Sequence, residues 1–221
     1  MSSITFEASY KQYTLYSHGK NSKGFYLPIL DKLYALFNDS LVNFTRPTIA
    51  HIIIDNPKDY RIHQVLTRII TDESKIRKIN TPKFHYLSVI ERKRKNSKFH
   101  QHIAIILEKA NYYFFEIIML KLRKYSNSGK TTLAKRKYAN RPDYIDTETG
   151  EIKKAGPAHY HYLTTETFDA FQRISYMAKV ETKLSPKFSS SRLSKAILLD
   201  EYNKIHEHQK TTSHPQDSPP A

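Results

Sequence analysis

The sequence predicts an α+β fold in which a central antiparallel sheet is flanked by helices. Two observations carry that expectation. Residues 84–91 and 99–107 are runs of strand formers separated by a charged turn, residues 92–98, which contains Asn96-Ser97. Such a pair reads as a β-hairpin and is therefore antiparallel. Along the rest of the chain, strand-like and helix-like segments alternate irregularly, without the steady strand–helix–strand rhythm of a parallel sheet. With 221 residues, 39% of them hydrophobic, the chain suits one domain with appendages or at most two small ones.

Residues 1–24 are polar and tyrosine-rich, with Gly19 and Gly24 as breakers, and read as an extended arm. Ile29, Leu33, Leu36, Phe37 and Leu41 recur at helical spacing, so residues 28–44 are expected to form a short helix. Residues 48–54 are a β-branched run, a buried strand stopped by Asp55-Asn56-Pro57. Asn56 is placed to cap a helix whose first residue is Pro57. Ile62, Val65, Leu66, Ile69 and Ile70 fall at i, i+3, i+4, i+7 and i+8, which makes residues 58–71 an amphipathic helix. After the hairpin, Asn111 caps an apolar helix to about Arg123, and residues 126–129, Ser-Asn-Ser-Gly, read as a loop. Residues 144–152 read as a second hairpin turning at Glu148 to Gly150. Residues 158–163 make another short strand. Thr164 or Thr165 then caps a helix to about Thr182, with Glu166 and Asp169 favourably placed in its first turn. A last helix is expected at about 192–206. The organisation is thus an arm and short helix (1–45), a folded domain (46–206) and a polar, Pro-rich tail (207–221) expected to be disordered.

Lys and Arg total 36 against 21 Asp and Glu, a formal net charge of +15. An imbalance of that size attracts phosphate backbones or anionic membranes. No basic stretch carries the broad apolar face of a membrane-surface helix, so nucleic acid is the expected partner; the plainer reading is a merely soluble basic protein. Residues 121–141 hold Lys121, Arg123, Lys124, Lys130, Lys135, Arg136, Lys137 and Arg141 and no acidic residue. A run so one-sided more often meets an anion than water alone. Cysteine is absent, which excludes disulfides, thiolate zinc sites and cysteine nucleophiles. The N-terminus lacks the pattern of a secretion signal, and no stretch approaches the roughly 20 apolar residues of a spanning helix. A soluble, cytoplasmic protein with no membrane partner is expected.

His100 and His102 stand two apart in a strand, so their imidazoles share a face with backbones about 6–7 Å apart. With the turn centred on Lys95-Asn96, Glu91 lies across from His100, Val89 from His102 and Leu87 from Ala104. Directly opposed residues share a face, so Glu91, His100 and His102 are expected to converge on one point. Two imidazoles and a carboxylate with open positions suit a divalent ion such as Mg²⁺, Mn²⁺ or Zn²⁺. The plainer reading is a polar sheet face without a ligand. In the later helix, Phe168, Phe171, Ile174 and Ala178 form the apolar stripe and Tyr176 lies off it. Lys179, at i+3, is expected beside it, where an ammonium favours the phenolate and neutralises a phosphate oxygen. A tyrosine can attack a phosphodiester and form a covalent phosphotyrosine link. With 16 tyrosines in the chain, Tyr-x-x-Lys alone also arises by chance. A second pair, His159 and His161, reads as structural, with an additional ligand or phosphate contact as its rival.

Strand-Glu, basic turn, His-x-His and a later helix with Arg-x-Ser-Tyr-x-x-Lys together resemble the HUH endonuclease superfamily. More narrowly, four blocks are similar to the inovirus-type replication protein family, the YagK/YfjJ C-terminal domain family of prophages. They are Glu91-Arg92, Phe99-His-Gln-His-Ile-Ala-Ile-Ile-Leu107, Tyr112-Tyr-Phe114 and Phe168-x-x-Phe-x-Arg-Ile-Ser-Tyr-Met-Ala-Lys-Val-Glu-Thr-Lys183. The similarity covers roughly residues 48–192. It implies an HUH-type sheet related to the RNA-recognition-motif arrangement, with the 49–54 strand beside the His-x-His strand. It also implies that His100, His102 and Glu91 hold Mg²⁺ or Mn²⁺. Tyr176 would attack single-stranded DNA at a replication origin, leaving a 5′-phosphotyrosine and a free 3′-OH, and Lys179 would assist. The middle residue of the family's His-x-His is usually bulky and apolar; here it is Gln101.

That resemblance implies a rolling-circle initiator working in a bacterial host cell, with host helicase and polymerase as partners. Phosphate contacts are expected from Arg92, Lys93, Arg94, Lys95, Lys98, Lys121, Arg123, Lys124, Lys130, Lys135, Arg136, Lys137, Arg173 and Lys183. Tyr112, Tyr113, Phe114 and Phe115 are candidates for base stacking, though some must be core. Two other readings stay open: a non-catalytic DNA-binding prophage protein or regulator, and a metal-dependent nuclease without a covalent step.

Overall fold

The isoleucine-rich run at residues 48–54 forms a strand inside the sheet, where it is mostly buried. In the computed structural model, which describes residues 4–16, 23–58, 62–91, 99–110, 112–134, 144–145, 152–153, 160–180 and 187–190, β5 (Pro47–Asp55) pairs with β7 (His100–Glu108) along its whole length. Six two-residue strands form three small antiparallel pairs outside the main sheet. These are β1 (Ile4–Thr5) with β4 (Phe25–Tyr26), β2 (Ser9–Tyr10) with β3 (Tyr13–Thr14), and later β9 (Tyr144–Ile145) with β10 (Ile152–Lys153). The main sheet is completed by β6 (Phe84–Glu91), β8 (Thr131–Leu133), β11 (Tyr160–Tyr162) and β12 (Lys187–Ser190). Its order is β11-β5-β7-β6-β12, with β8 sharing the β11 edge of β5, and each pairing is antiparallel. The expected fold class, a central antiparallel sheet with flanking helices, is the one observed.

Side chains alternate across the sheet, and two different helix pairs cover the two faces. Ala50, Ile52, Ile54, Ile103, Ile105, Leu107 and Tyr86 face α2 (Ile62–Ile76) and α3 (Tyr112–Leu122), which contribute Leu66, Ile70, Phe115 and Ile118 to one buried cluster. Gln101 falls on this face, fully buried, and its amide donates to Ser88 Oγ at 2.9 Å. The other face carries Ile49, Leu87, Val89, Ala104 and Ile106, all buried. α1 (Leu27–Asn43) and α4 (Leu163–Ser175) pack together on that side, α1 against β6 and α4 against β5.

Several boundaries differ from the sequence expectation, each for a local reason. Asn56 does not cap a helix: its φ is +49° and it turns the chain so that Pro57 pairs with Ser126. The amide of Asn56 donates to Phe99 O and that of Lys58 to Tyr125 O. Those bonds consume the groups a helix start would need, so α2 is helical from Ile62 and runs on to Ile76. The α4 helix begins at Leu163 after Tyr162, without a threonine side-chain cap, and Glu166 departs from helical geometry at φ −124°. It ends at Ser175, passing into a 3₁₀ turn (Tyr176–Ala178) rather than continuing to Thr182. β8 lies inside the basic stretch 121–141, just after the turn at residues 126–129, and is not among the strands expected from the sequence.

The N-terminal segment is not a free arm. Tyr13 and Leu15 are each 1% exposed, and the Tyr13 ring stacks on Phe171 of α4 at 4.1 Å. Gly24 has φ +85°, and a Cβ there would sit 2.5 Å from the Thr5 carbonyl oxygen, so only glycine fits this crossing. The chain divides into compact units Met1–Ser191 and Arg192–Ala221; the second unit, with the helix expected at 192–206 and the tail, lies outside the described residues. So do Asn111, the turns of both hairpins and His159.

Candidate metal and tyrosine site

On the α1/α4 face the sheet changes character along its length. Where the helices cover it, it is apolar. Toward the start of β7 it becomes ionisable: His51 and Asp55 on β5, His102 and His100 on β7, Glu91 on β6. The hairpin register places Glu91 opposite His100, Val89 opposite His102 and Leu87 opposite Ala104, the register the turn chemistry predicted. On the other side of β7, Asp55 is opposite His100 and His51 is opposite Ala104.

Direct opposition does not decide the contacts. Glu91 Oε2 lies 2.9 Å from His102 Nε2, a diagonal reach that a long carboxylate makes easily, while His100 Nδ1 lies 3.3 Å from Asp55 Oδ1. The expectation that all three side chains meet at one point is therefore corrected: the two imidazoles pair with different carboxylates. His102 is held on both sides, because its Nδ1 lies 2.9 Å from His51 Nε2. Glu91 is 1% exposed, His102 6% and His51 7%. A carboxylate taken so far out of water must be compensated by a hydrogen-bonded or cationic partner, and the imidazole chain provides it.

Tyr176 opens the 3₁₀ turn that ends α4, which carries its half-buried phenol over this face. Its hydroxyl is a long 3.5 Å from Glu91 Oε1, and its ring centroid is 5.8 Å from that of His102. Tyr16 packs edge-on against Tyr176 at 5.6 Å. It is fixed there because its amide donates to Ser175 Oγ at 2.8 Å. Lys179 is not on a helical face beside Tyr176, since the helix has ended; it is 3% exposed and its Nζ lies 5.4 Å from the Tyr16 ring centroid. A cavity of about 460 Å³ opens on the site, lined by Tyr16, His51, Asp55, His100, His102 and Tyr176 together with Lys130 and Arg173.

The donor chemistry fits a hard or borderline divalent cation. An octahedral ion with bonds of about 2.0–2.1 Å has neighbouring donors about 2.9–3.0 Å apart, and the His102 Nε2–Glu91 Oε2 separation of 2.9 Å matches that edge. Among the described residues, no three His, Asp or Glu side chains are already grouped around one point. His100 would have to leave Asp55 to join the set.

The other expected contacts divide. Arg173 and Lys130 reach the cavity. Lys121 does not: its Nζ pairs with Glu73 Oε1 at 3.0 Å on the α2/α3 side. Arg123 and Lys124 are exposed on the turn after α3, around a separate small depression with Arg68 and Tyr125. Arg92, Lys93, Arg94, Lys95, Lys98, Lys135, Arg136, Lys137 and Lys183 lie outside the described residues. Phe114 and Phe115 are core, while Tyr113 is exposed beneath the Arg77 guanidinium at 4.6 Å. His161 is buried, its Nδ1 3.8 Å from Glu166 Oε2.

His51, Asp55 and Tyr16 escaped the sequence reading. His51 and Asp55 had a signal: four apart in a strand, they share a face. Tyr16 had none, because its contact with Tyr176 spans 160 residues of chain. Among the described residues no helix is long and apolar enough to cross a membrane. No protein-family model, curated protein or solved structure significantly matches the chain.

Proposed function

We propose that this chain is a metal-assisted DNA nickase that uses a tyrosine nucleophile, of the kind that initiates rolling-circle replication of a phage or prophage-like element. The observation that carries the reading is the Tyr176 hydroxyl 3.5 Å from Glu91 Oε1, with its ring beside His102 at the mouth of a cationic cavity. His100, His102 and Glu91 are the residues that would hold Mg²⁺ or Mn²⁺, and a bound ion would stabilise the charge that develops on the scissile phosphate. Arg173 and Lys130 place positive charge along the cavity wall, where they position phosphates without reading sequence. The Tyr176 oxygen attacks phosphorus, the bond from phosphorus to the 3′-oxygen breaks, and the chain retains a 5′-phosphotyrosine. Glu91 Oε1, 3.5 Å from the hydroxyl, takes the phenol proton, and that proton passes through water to the departing 3′-oxygen. The free 3′-OH then primes synthesis.

The test uses purified protein, Mn²⁺ and single-stranded oligonucleotides tiling the element that encodes the chain. The expected result is a protein–DNA adduct that survives denaturation and is lost in Tyr176→Phe. Cleavage that survives Tyr176→Phe would identify a metal nuclease without a covalent step. Binding without cleavage under any divalent ion would identify a DNA-binding protein on this fold.

A further inference from the structure

Building on the metal-centred reading above, we propose that His51 is a positioning residue that fixes the tautomer in which His102 can take a divalent cation. An imidazole binds a metal through a bare nitrogen, and the opposite nitrogen then carries the proton and needs an acceptor. In His102 the nitrogen facing Glu91 is Nε2 and the one facing away is Nδ1. For Nε2 to be bare, Nδ1–H must donate, and His51 Nε2 lies within reach at 2.9 Å. His51 accepts there only with its own proton on Nδ1. Without metal the opposite arrangement serves the buried carboxylate: His102 carries its proton on Nε2, 2.9 Å from Glu91 Oε2, and His51 Nε2–H donates to His102 Nδ1. Cation binding thus moves each ring's proton to its other nitrogen, with two ring protons before and after.

Burial makes the contact selective. His51 and His102 are 7% and 6% exposed, so water competes weakly for His102 Nδ1. His51 lies on β5, two strands from Glu91, and its backbone is opposite Ala104 rather than His102. A mere packing residue at that position needs no ring nitrogen 2.9 Å from its neighbour.

Mn²⁺ titration by calorimetry tests this on full-length protein. His51→Leu should weaken Mn²⁺ binding about 10- to 100-fold, the usual cost of losing such an outer partner, and His51→Gln, whose carbonyl oxygen can accept the Nδ1–H, should restore most of it. Long-range ¹H–¹⁵N correlation on the unsubstituted protein provides a readout that does not depend on the variants folding. With Mg²⁺, His102 should carry its proton on Nδ1 and His51 on its own Nδ1. His102 protonated on Nε2 in the Mg²⁺-bound protein would overturn the proposal. So would wild-type Mn²⁺ affinity in His51→Leu alongside lost binding in His102→Ala. A protein that binds no Mn²⁺ at all, or binds it unchanged in His102→Ala, would overturn the metal-centred reading and this assignment with it.

Discussion

Glu91 ends a strand with 1% of its surface exposed, and its two oxygens are turned to two different partners, His102 and Tyr176. Removing the imidazoles should therefore affect chemistry and the buried charge together. A His100→Ala/His102→Ala double substitution is expected to abolish Mn²⁺-dependent cleavage, read on labelled single-stranded DNA; full activity would contradict any metal-centred account. Much of this site was legible because strand period and turn chemistry placed Glu91, His100 and His102 on one face. Which carboxylate each ring would choose was not legible, since that depends on Asp55 arriving from a third strand. A second titratable group gives a pH prediction. The Thr45 backbone amide donates to Glu108 Oε1 at 2.9 Å and holds that carboxyl below its ordinary value of 4.5. A lowered value in the folded state means that the contribution is present above the ordinary carboxylate range and is lost as pH falls through the folded value. Urea unfolding of Glu108→Gln should thus differ from wild type at neutral pH and converge with it in acid.

The α4 helix does two jobs, and its end matters more than its length. Had it continued to Thr182, Lys179 would lie one turn beyond Tyr176; instead the 3₁₀ turn carries Tyr176 over the sheet and sends Lys179 beneath Tyr16. Neither the early stop nor the N-terminal strands could be read locally, because both depend on contacts made across more than 150 residues, such as Val180 N to Gly24 O at 3.0 Å. Phe171 is the apolar anchor of this arrangement, fully buried beneath Tyr13. Phe171→Ala should cost about 3–5 kcal/mol in denaturant unfolding. Gly24→Ala, which must hold a positive φ and clear the Thr5 carbonyl, should cost about 1–3 kcal/mol for the backbone conformation alone. A Gly24→Ala protein with unchanged stability would contradict the crossing described for residues 23–26.

A net charge of +15 acts on DNA through the positions where it is placed. Lys121 is engaged by Glu73, whereas Lys130 and Arg173 line the cavity. Replacing Lys130 or Arg173 with Ala should each flatten the salt dependence of single-strand binding by about 0.7 in log–log slope, the increment for one phosphate contact. Lys121→Ala should change it less, and equal slopes for all three would contradict the proposed path. Fold class was readable from the hairpin and the irregular element order; the covering of each face by a separate helix pair was not, because amphipathic stripes do not name their partners. The account as a whole rests on one phenol reaching phosphorus over the imidazole–carboxylate face. Tandem mass spectrometry of the nucleotide-bearing peptide after Mn²⁺-dependent cleavage locates that phenol. The prediction is a phosphotyrosyl linkage at Tyr176; a linkage at Tyr16 or at any other residue would contradict it.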